Sequence, residues 1–178
     1  LISKSFNTAG PGYLAYIPGG GIFHSAIADL ISNAVNRYVG VWLAAPALAQ
    51  LETNVIRWFC EIVGYPDSAR GVLTPGGPLA NTSAIIAARQ DKLADDFHKG
   101  AIYLSDQAHH SLHKAALLAG FSPKNLRTIP SDSHYRMCKT FLRQCIADDR
   151  AKGLAPFLLI GSAGTTNTGA VDDLEGLR

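Results

Sequence analysis

The second half of the chain alternates short apolar runs with longer stretches of helical periodicity, and this alternation restricts the folds that are open to it. The predicted strands are at 71–74, 101–104, 126–129 and 156–161, and the predicted helices are at 79–97, within 106–119 and at 137–152. Strands separated by helices pair in parallel, and the helices cover both faces of the sheet. The sequence therefore predicts an α/β fold with a mostly parallel sheet.

The first 70 residues predict a loop followed by two helices. Residues 1–21 are rich in glycine and proline and show no periodicity. Apolar residues at helical spacing predict a helix from 22 to 39, which Gly40 ends, and a second helix from Pro46 to Gly64. Proline in the first turn and glycine just after the last turn are both typical of helix boundaries.

Charge and composition exclude several classes of protein. The 16 basic and 14 acidic residues are interspersed without a run of Lys or Arg, which argues against a nucleic-acid-binding surface. No apolar stretch is long enough to span a membrane, and no signal peptide opens the chain. The three cysteines form no Cys-x-x-Cys pair and predict reduced thiols in a cytoplasmic protein. His109 and His113 have no evident third ligand, so no metal site is expected.

The residues just after each predicted strand are candidate site residues, because ligands bind beyond the carboxyl ends of parallel strands. Gly76 and Gly77 separate a predicted strand from a helix start, where backbone N–H groups and the helix dipole favour a phosphate. The alternative is a tight turn without a ligand. His109 follows the second predicted strand, and Thr165 and Thr166 follow the last. These side chains are also open to a purely structural interpretation, as hydrogen-bonding or turn-capping groups.

Six short segments occur in a fixed order along nearly the whole chain. They are Ala15-Tyr16-Ile17-Pro18-Gly19-Gly20-Gly21, Ala44-Ala45-Pro46-Ala47 leading to Leu51-Glu52, Thr74-Pro75-Gly76-Gly77 through Ala80-Asn81, Ser105-Asp106-Gln107-Ala108-His109, Ile129-Pro130-Ser131-Asp132, and Gly164-Thr165-Thr166 through Gly169-Ala170-Val171-Asp172-Asp173-Leu174. In this order they resemble the group II pyridoxal-phosphate-dependent decarboxylases. That family includes the aromatic-L-amino-acid, histidine and glutamate decarboxylases.

The resemblance implies a fold type I enzyme that decarboxylates an L-amino acid as a homodimer, with pyridoxal phosphate at the subunit interface. It also implies that residues 1–45 form a substrate-side and dimer-contact segment, and that residues 46–178 form the N-terminal part of the cofactor-binding large domain. The matching residues are Gly76, Gly77 and Pro78 in the phosphate loop, His109 stacked on the pyridine ring, Thr166 hydrogen-bonded near the cofactor, and Tyr16, Ile17 and Pro18 on the substrate side.

The chain departs from the family pattern in two places. Pro78 stands where the usual Gly-Gly-Ser-Glu-Ala-Asn segment has serine, so an N–H and a hydroxyl are missing from the expected phosphate site. The family's segments with the pyridine-nitrogen aspartate and the Schiff-base lysine do not occur before Arg178, so we expect a cut chain that is inactive by itself.

Two alternatives to a decarboxylase stay open at this point. The first is a truncated or decayed non-catalytic homologue that keeps the fold and the dimer surface. The second is another fold type I enzyme, such as a desulfurase or an aminotransferase. The segments do not name the amino-acid substrate, although Tyr16 and Ile17 favour an apolar or aromatic side chain.

Overall fold

The computed structural model describes residues 2–14, 20–93 and 95–178, and the chain divides into two compact units, Leu1–Leu73 and Thr74–Arg178. The helices are α1 (Phe23–Val35), α2 (Pro46–Ile62), α3 (Gly77–Leu93), α4 (Ser111–Leu118) and α5 (Lys139–Ala151), and the strands are β1 (Gly100–Ser105), β2 (Leu126–Ile129) and β3 (Ala155–Ile160). Short 3-10 helices lie at Ile2–Lys4, Trp42–Ala44, Phe97–Lys99 and Pro123–Asn125.

The second unit is built on a parallel sheet with the strand order β2-β1-β3. Tyr103 at the centre of β1 pairs with Arg127 on one side and with Leu159 on the other. Every residue of β1 is buried, as the apolar run at 101–104 predicts. The predicted α/β class with a mostly parallel sheet is therefore confirmed.

Helices cover both faces of β1, and the alternation of its side chains decides which helix each one meets. Ile102 and Leu104 belong to a buried cluster with residues of α3 and α4, including Ile85 and Leu112. Ala101, Tyr103 and the α5 residue Leu142 belong to a second cluster on the opposite face. A strand buried on both faces reads as a continuous apolar run, which is why the sequence identified it.

A buried ion pair joins α5 to the sheet. Arg127 on β2 donates from Nε to both carboxylate oxygens of Asp149, at 3.0 and 2.8 Å, and the Tyr103 hydroxyl donates to Oδ2 at 2.8 Å. Asp149 is only 2% exposed. Burial raises the pKa of Asp149, but the hydrogen bonds from Arg127 and Tyr103 outweigh it and hold that pKa below its usual value. Burial and the Asp149 carboxylate raise the pKa of Tyr103 above its ordinary range.

The structure corrects the prediction of a strand at 71–74, because these residues form no strand. The N–H of Leu73 donates instead to a carboxylate oxygen of Glu52 at 3.4 Å. An apolar run favours burial, but a strand also needs a neighbour that satisfies its backbone groups, and among the described residues none pairs with this run.

Two helix boundaries also differ from the prediction. Helix α3 begins at Gly77 and ends at Leu93, while the predicted helix extended to 97. Phe97 lies in a separate 3-10 helix and packs edge-on against Phe121, with ring centroids 5.5 Å apart. After β3, residues 174–177 form one hydrogen-bonded turn, in which a carboxylate oxygen of Asp173 accepts the Gly176 N–H at 3.0 Å.

The first unit consists mainly of α1 and α2. Helix α2 begins at Pro46, as predicted, and the chain leaves it through Gly64, whose φ of +76° requires glycine-like freedom. Helix α1 ends at Val35, short of the predicted 39, and Asn36 after it is in the left-handed conformation. Among the described residues of this unit only Ala45 and Cys60 are buried, so both helices leave apolar side chains exposed. Nowhere in the described ranges is a helix long and apolar enough to cross a bilayer.

Candidate cofactor-binding site

The loops that follow the three strands are joined by hydrogen bonds along the carboxyl edge of the sheet. After β1, a carboxylate oxygen of Asp106 accepts the N–H of Ser131, which follows β2, at 3.3 Å. After β3, the carboxylate of Asp172 accepts the N–H of Met137 and the N–H of Ser162, each at 2.7 Å. The predicted edge is therefore one connected structure, because parallel strands end on the same side.

Gly76 and Gly77 lie at the start of α3, where the predicted phosphate loop meets the helix. The carbonyl of Gly76 accepts the N–H groups of Leu79 and Ala80 at 3.1 and 3.2 Å, so Gly76 caps the helix. Among the described residues, no acceptor bonds the N–H of Gly76 or Gly77. A Cβ added at Gly77 would have nothing within 4 Å. The chain itself does not require glycine at Gly77, and the open space beside a free N–H fits a bound anion.

Pro78 occupies the second position of α3 and contributes no N–H. Its carbonyl accepts the hydroxyl of Thr82 at 2.9 Å, and the helix continues normally for 17 residues. Proline is compatible with the first turn of a helix, because the N–H it lacks has no partner there. The substitution thus preserves the loop while it removes one donor from the predicted phosphate site.

His109 lies in the loop between β1 and α4, where its imidazole ring is exposed. Its Nδ1 atom is 3.2 Å from the N–H of Ser111 and 2.8 Å from the Ser111 hydroxyl. Ser111 is 3% exposed, and its hydroxyl also meets the side-chain amide of Asn81 on α3, at 3.0 Å. This contact links the loop that carries His109 to the helix that begins at Gly77.

Thr166 lies in a tight hairpin after β3. Ala163 and Val171 form an antiparallel bridge at the base of this hairpin, and the side chain of Thr166 is exposed. Its neighbour Thr165 is buried, with its hydroxyl 2.7 Å from that of Thr168. Thr165 therefore stabilises the hairpin, while Thr166 is exposed.

Asp132 shows how the loop after β2 is fixed. Its Oδ1 accepts the N–H groups of His134 and Arg136 at 2.8 and 3.0 Å. The Arg136 N–H lowers the pKa of this carboxyl, slight desolvation opposes that effect, and the His134 N–H adds to it. Within the described ranges no group of three or more His, Cys, Asp or Glu side chains is placed to hold a metal ion.

The structure thus brings some of the predicted residues together. Gly77 and His109 are linked through Asn81 and Ser111, and the hairpin of Thr166 is tied to the loop after β2 through Asp172. The predicted substrate-side residues lie outside the described residues. They are Tyr16, Ile17 and Pro18.

Sequence reasoning missed the roles of Asn81, Ser111 and Asp172. Asn81 and Asp172 stand within the family-like segments, but the resemblance assigns neither of them a role. Ser111 carried one available signal, since a serine two residues after a candidate histidine at a helix start can bond its ring or its backbone.

Comparison with known proteins decides the family. The model of the "Pyridoxal-dependent decarboxylase conserved domain" matches residues 2–178. The chain belongs to this family. An aromatic-L-amino-acid decarboxylase of Bacillus atrophaeus is 38% identical over 94% of the chain. The tryptophan decarboxylase of Catharanthus roseus, solved with L-tryptophan, superposes on 92% of the chain with 31% identity and a TM-score of 0.84.

A third relative carries the cofactor in its crystal structure. The Oryza sativa enzyme solved with pyridoxal phosphate and tryptamine is 28% identical over 92% of the chain, with a TM-score of 0.82. These likenesses confirm the predicted fold type I architecture of the large domain. The chain spans 35%, 38% and 36% of the lengths of these three relatives.

Proposed function

We propose that this chain is the cofactor-binding part of an enzyme that removes the α-carboxylate of an aromatic L-amino acid with pyridoxal phosphate. Family membership over residues 2–178 supports the reaction class. The names of relatives that act on tyrosine and aromatic amino acids support the substrate class. The observation that carries the proposal is the bond from Asn81 to Ser111, since it sets the His109 loop beside the helix of Gly77. Family membership also argues against an aminotransferase or a desulfurase.

The donors at the start of α3 suit the phosphate group of the cofactor. The free N–H groups of Gly76 and Gly77 point from the positive end of a 17-residue helix, and the open space at Gly77 lets a phosphate oxygen approach them. The ring of His109 is exposed and held at one nitrogen, so one of its faces is available to a flat heterocycle. The exposed hydroxyl of Thr166 is free to donate a hydrogen bond nearby.

These residues have separate tasks in the proposed reaction. When bound, pyridoxal phosphate supplies an electron sink for the electron pair that remains after the Cα–carboxylate bond breaks. Gly76 and Gly77 anchor the phosphate, and His109 covers one face of the ring and excludes water from it. Thr166 fixes the rotation of the ring about that anchor. We place the amino-acid side chain against Tyr16, Ile17 and Pro18.

The direct test uses protein expressed from the complete reading frame that carries this chain. Added pyridoxal phosphate should produce a visible absorption band, and borohydride should then fix the cofactor on one lysine, which peptide mass spectrometry identifies. Carbon dioxide should be released from L-tryptophan or L-tyrosine. Transfer of the amino group without carbon dioxide release, in a protein that binds the cofactor, would contradict the proposal.

Replacement of Pro78 by serine should strengthen cofactor binding by about tenfold. The variant restores one N–H and one hydroxyl beside the phosphate, and a hydrogen bond to a charged group contributes about 1.5–3 kcal/mol. A titration of pyridoxal phosphate against the protein measures the change in dissociation constant. Pro78→Ala restores only the N–H and serves as the control, so its gain should be smaller. Equal affinities in all three proteins would show that the phosphate lies elsewhere.

Pro78 also favours a second candidate, a non-catalytic homologue that keeps the fold and has lost cofactor binding. The two candidates predict different results for the protein that carries Pro78. If it is the non-catalytic homologue, it should show no absorption band of bound cofactor at millimolar pyridoxal phosphate. Recovery of that band in Pro78→Ser would favour lost binding over a misassigned site.

We propose further that the protein is a cytoplasmic homodimer. The apolar side chains left exposed on α1 and α2, such as Leu30 and Trp58, suit a subunit interface. In this proposal residues 1–45 form the dimer-contact and substrate-side segment, and residues 46–178 begin the cofactor-binding domain. The three free cysteines, Cys60, Cys138 and Cys145, suit a reducing compartment. Sedimentation equilibrium measures the subunit number, and a monomeric mass would contradict the dimer.

A further inference from the structure

The hydrogen bonds between Asn81, Ser111 and His109 have only one consistent direction. A backbone N–H can only donate, so the Nδ1 atom of His109 accepts from the Ser111 N–H and carries no proton. The Ser111 hydroxyl, 2.8 Å from the same Nδ1, must then donate its only proton to it. With that proton used, the hydroxyl oxygen accepts from the Asn81 amide at 3.0 Å.

This chain of donors fixes both the tautomer and the orientation of the imidazole. A neutral ring with its proton on Nε2 satisfies every partner, whereas a proton on Nδ1 would face the Ser111 N–H, which cannot turn away. Ser111 is buried at the first position of α4, and Asn81 is half-buried on α3, so two helices hold the ring from one side. His109 itself remains exposed, and the ring of His110 packs at a tilt against it, with ring centroids 4.3 Å apart.

We infer that Asn81 and Ser111 are positioning residues that keep the Nδ1 atom of His109 as a hydrogen-bond acceptor and set the plane of its ring for the cofactor. The inference rests on the proposed function, because the stacking of His109 on the cofactor gives the arrangement its purpose. Neither residue needs to touch the cofactor. Asn81 acts through the direction of the Ser111 hydroxyl, so a change of donor into acceptor at position 81 should reverse that direction.

Chemical labelling of His109 in the cofactor-free protein tests the arrangement. Diethyl pyrocarbonate acylates the lone pair of a neutral imidazole, and in the native protein the only lone pair of His109 is engaged at Nδ1 by two donors. Ser111→Ala removes one donor, so labelling of His109 should accelerate by about tenfold, the equivalent of a hydrogen bond of about 1.4 kcal/mol. Peptide mass spectrometry follows His109, and the exposed His134 serves as the reference in every sample.

Asn81→Asp is the sharpest variant, because it keeps the size of the side chain and only accepts hydrogen bonds. The carboxylate should accept the hydrogen bond of the Ser111 hydroxyl, which then no longer donates to Nδ1, and labelling should accelerate as strongly as in Ser111→Ala. Ser111→Thr keeps the hydroxyl and should restore the native rate. Ser83→Ala is the control, since the Ser83 hydroxyl lies on the same helix and, within the described part of the chain, bonds only the carbonyl of Leu79.

The outcomes separate this inference from the proposed function. Native labelling rates in both Ser111→Ala and Asn81→Asp would overturn the positioning role, whether or not the protein binds pyridoxal phosphate. Accelerated labelling with tenfold weaker cofactor binding in Asn81→Asp, and neither effect in Ser83→Ala, would support it. Accelerated labelling with unchanged cofactor affinity would overturn it too, because the ring would then be held without consequence for the cofactor. Failure of the native protein to bind the cofactor would count against the proposed function itself.

Discussion

Replacement of Asp149 by alanine should lower the free energy of unfolding by about 3–5 kcal/mol, which is a large share of the total stability of a domain this size. The variant leaves the guanidinium of Arg127 and the hydroxyl of Tyr103 without their shared acceptor in the interior. An uncompensated buried charge costs far more than the ion pair contributes when intact. Urea unfolding followed by circular dichroism measures the difference.

Asp148→Ala provides the matched control. Asp148 is the neighbour of Asp149 on α5, but it is exposed, and among the described residues its side chain bonds only the side-chain amide of Gln144 in the same helix. Loss of this exposed contact should change the free energy of unfolding by less than about 0.5 kcal/mol. If the two variants unfold at the same urea concentration, the Arg127 pair does not hold α5 to the sheet as described.

The same carboxyl predicts how stability depends on pH. The pKa of Asp149 is lower in the folded protein than in the unfolded chain, since the hydrogen bonds from Arg127 and Tyr103 outweigh the burial that raises it. Its contribution is therefore complete above the unfolded value, which is about 3.9, and is lost as the pH falls through the lower folded value. The difference in free energy of unfolding between the native protein and Asp149→Ala should accordingly be constant between about pH 6 and about pH 7, well above both pKa values of the carboxyl. It should shrink in acid.

Of the predicted strands, only the run at 101–104 is buried along its whole length. It lies in β1, and a continuous apolar run is what a doubly covered parallel strand requires. The mixed run at 126–129 lies in β2, where only Ile129 is buried. The partly apolar run at 71–74 forms no strand. Composition reports the preference for burial, while strand formation depends on a partner that is distant in sequence and invisible in a local pattern.

The candidate site shows the same limit. His109 was predicted from its position after a strand, and its placement follows from strand direction. Gly77 was predicted in the same way, although the run at 71–74 before it forms no strand. The Asn81–Ser111 and Met137–Asp172 bonds join residues 30 and 35 positions apart. Each of these side chains has ordinary local roles in caps and turns, so only the folded chain distinguishes a cap from a long-range bond.

Replacement of Gly77 by valine should weaken binding of pyridoxal phosphate by at least about 100-fold while the fold remains intact. No atom lies within 4 Å of a Cβ at this position, and the backbone is not in the left-handed region, so the chain accommodates the side chain. Valine also costs a helix less than glycine does. The isopropyl group would fill the space beside the free N–H groups of Gly76 and Gly77, and two lost bonds to a phosphate together exceed about 3 kcal/mol. Cofactor titration and urea unfolding measure the two quantities separately.

Gly12→Val is the control for this variant, because Gly12 also has no atom within 4 Å of a Cβ and is not part of the predicted phosphate loop. Both variants should unfold within about 0.5 kcal/mol of the native protein, and only Gly77→Val should lose the cofactor. Because urea unfolding shows whether each variant is folded, a loss of cofactor binding through misfolding is distinguished from the loss of the phosphate site. Native affinity in a stably folded Gly77→Val protein would place the phosphate away from the start of α3, and with it the stacking role assigned to His109 would fail.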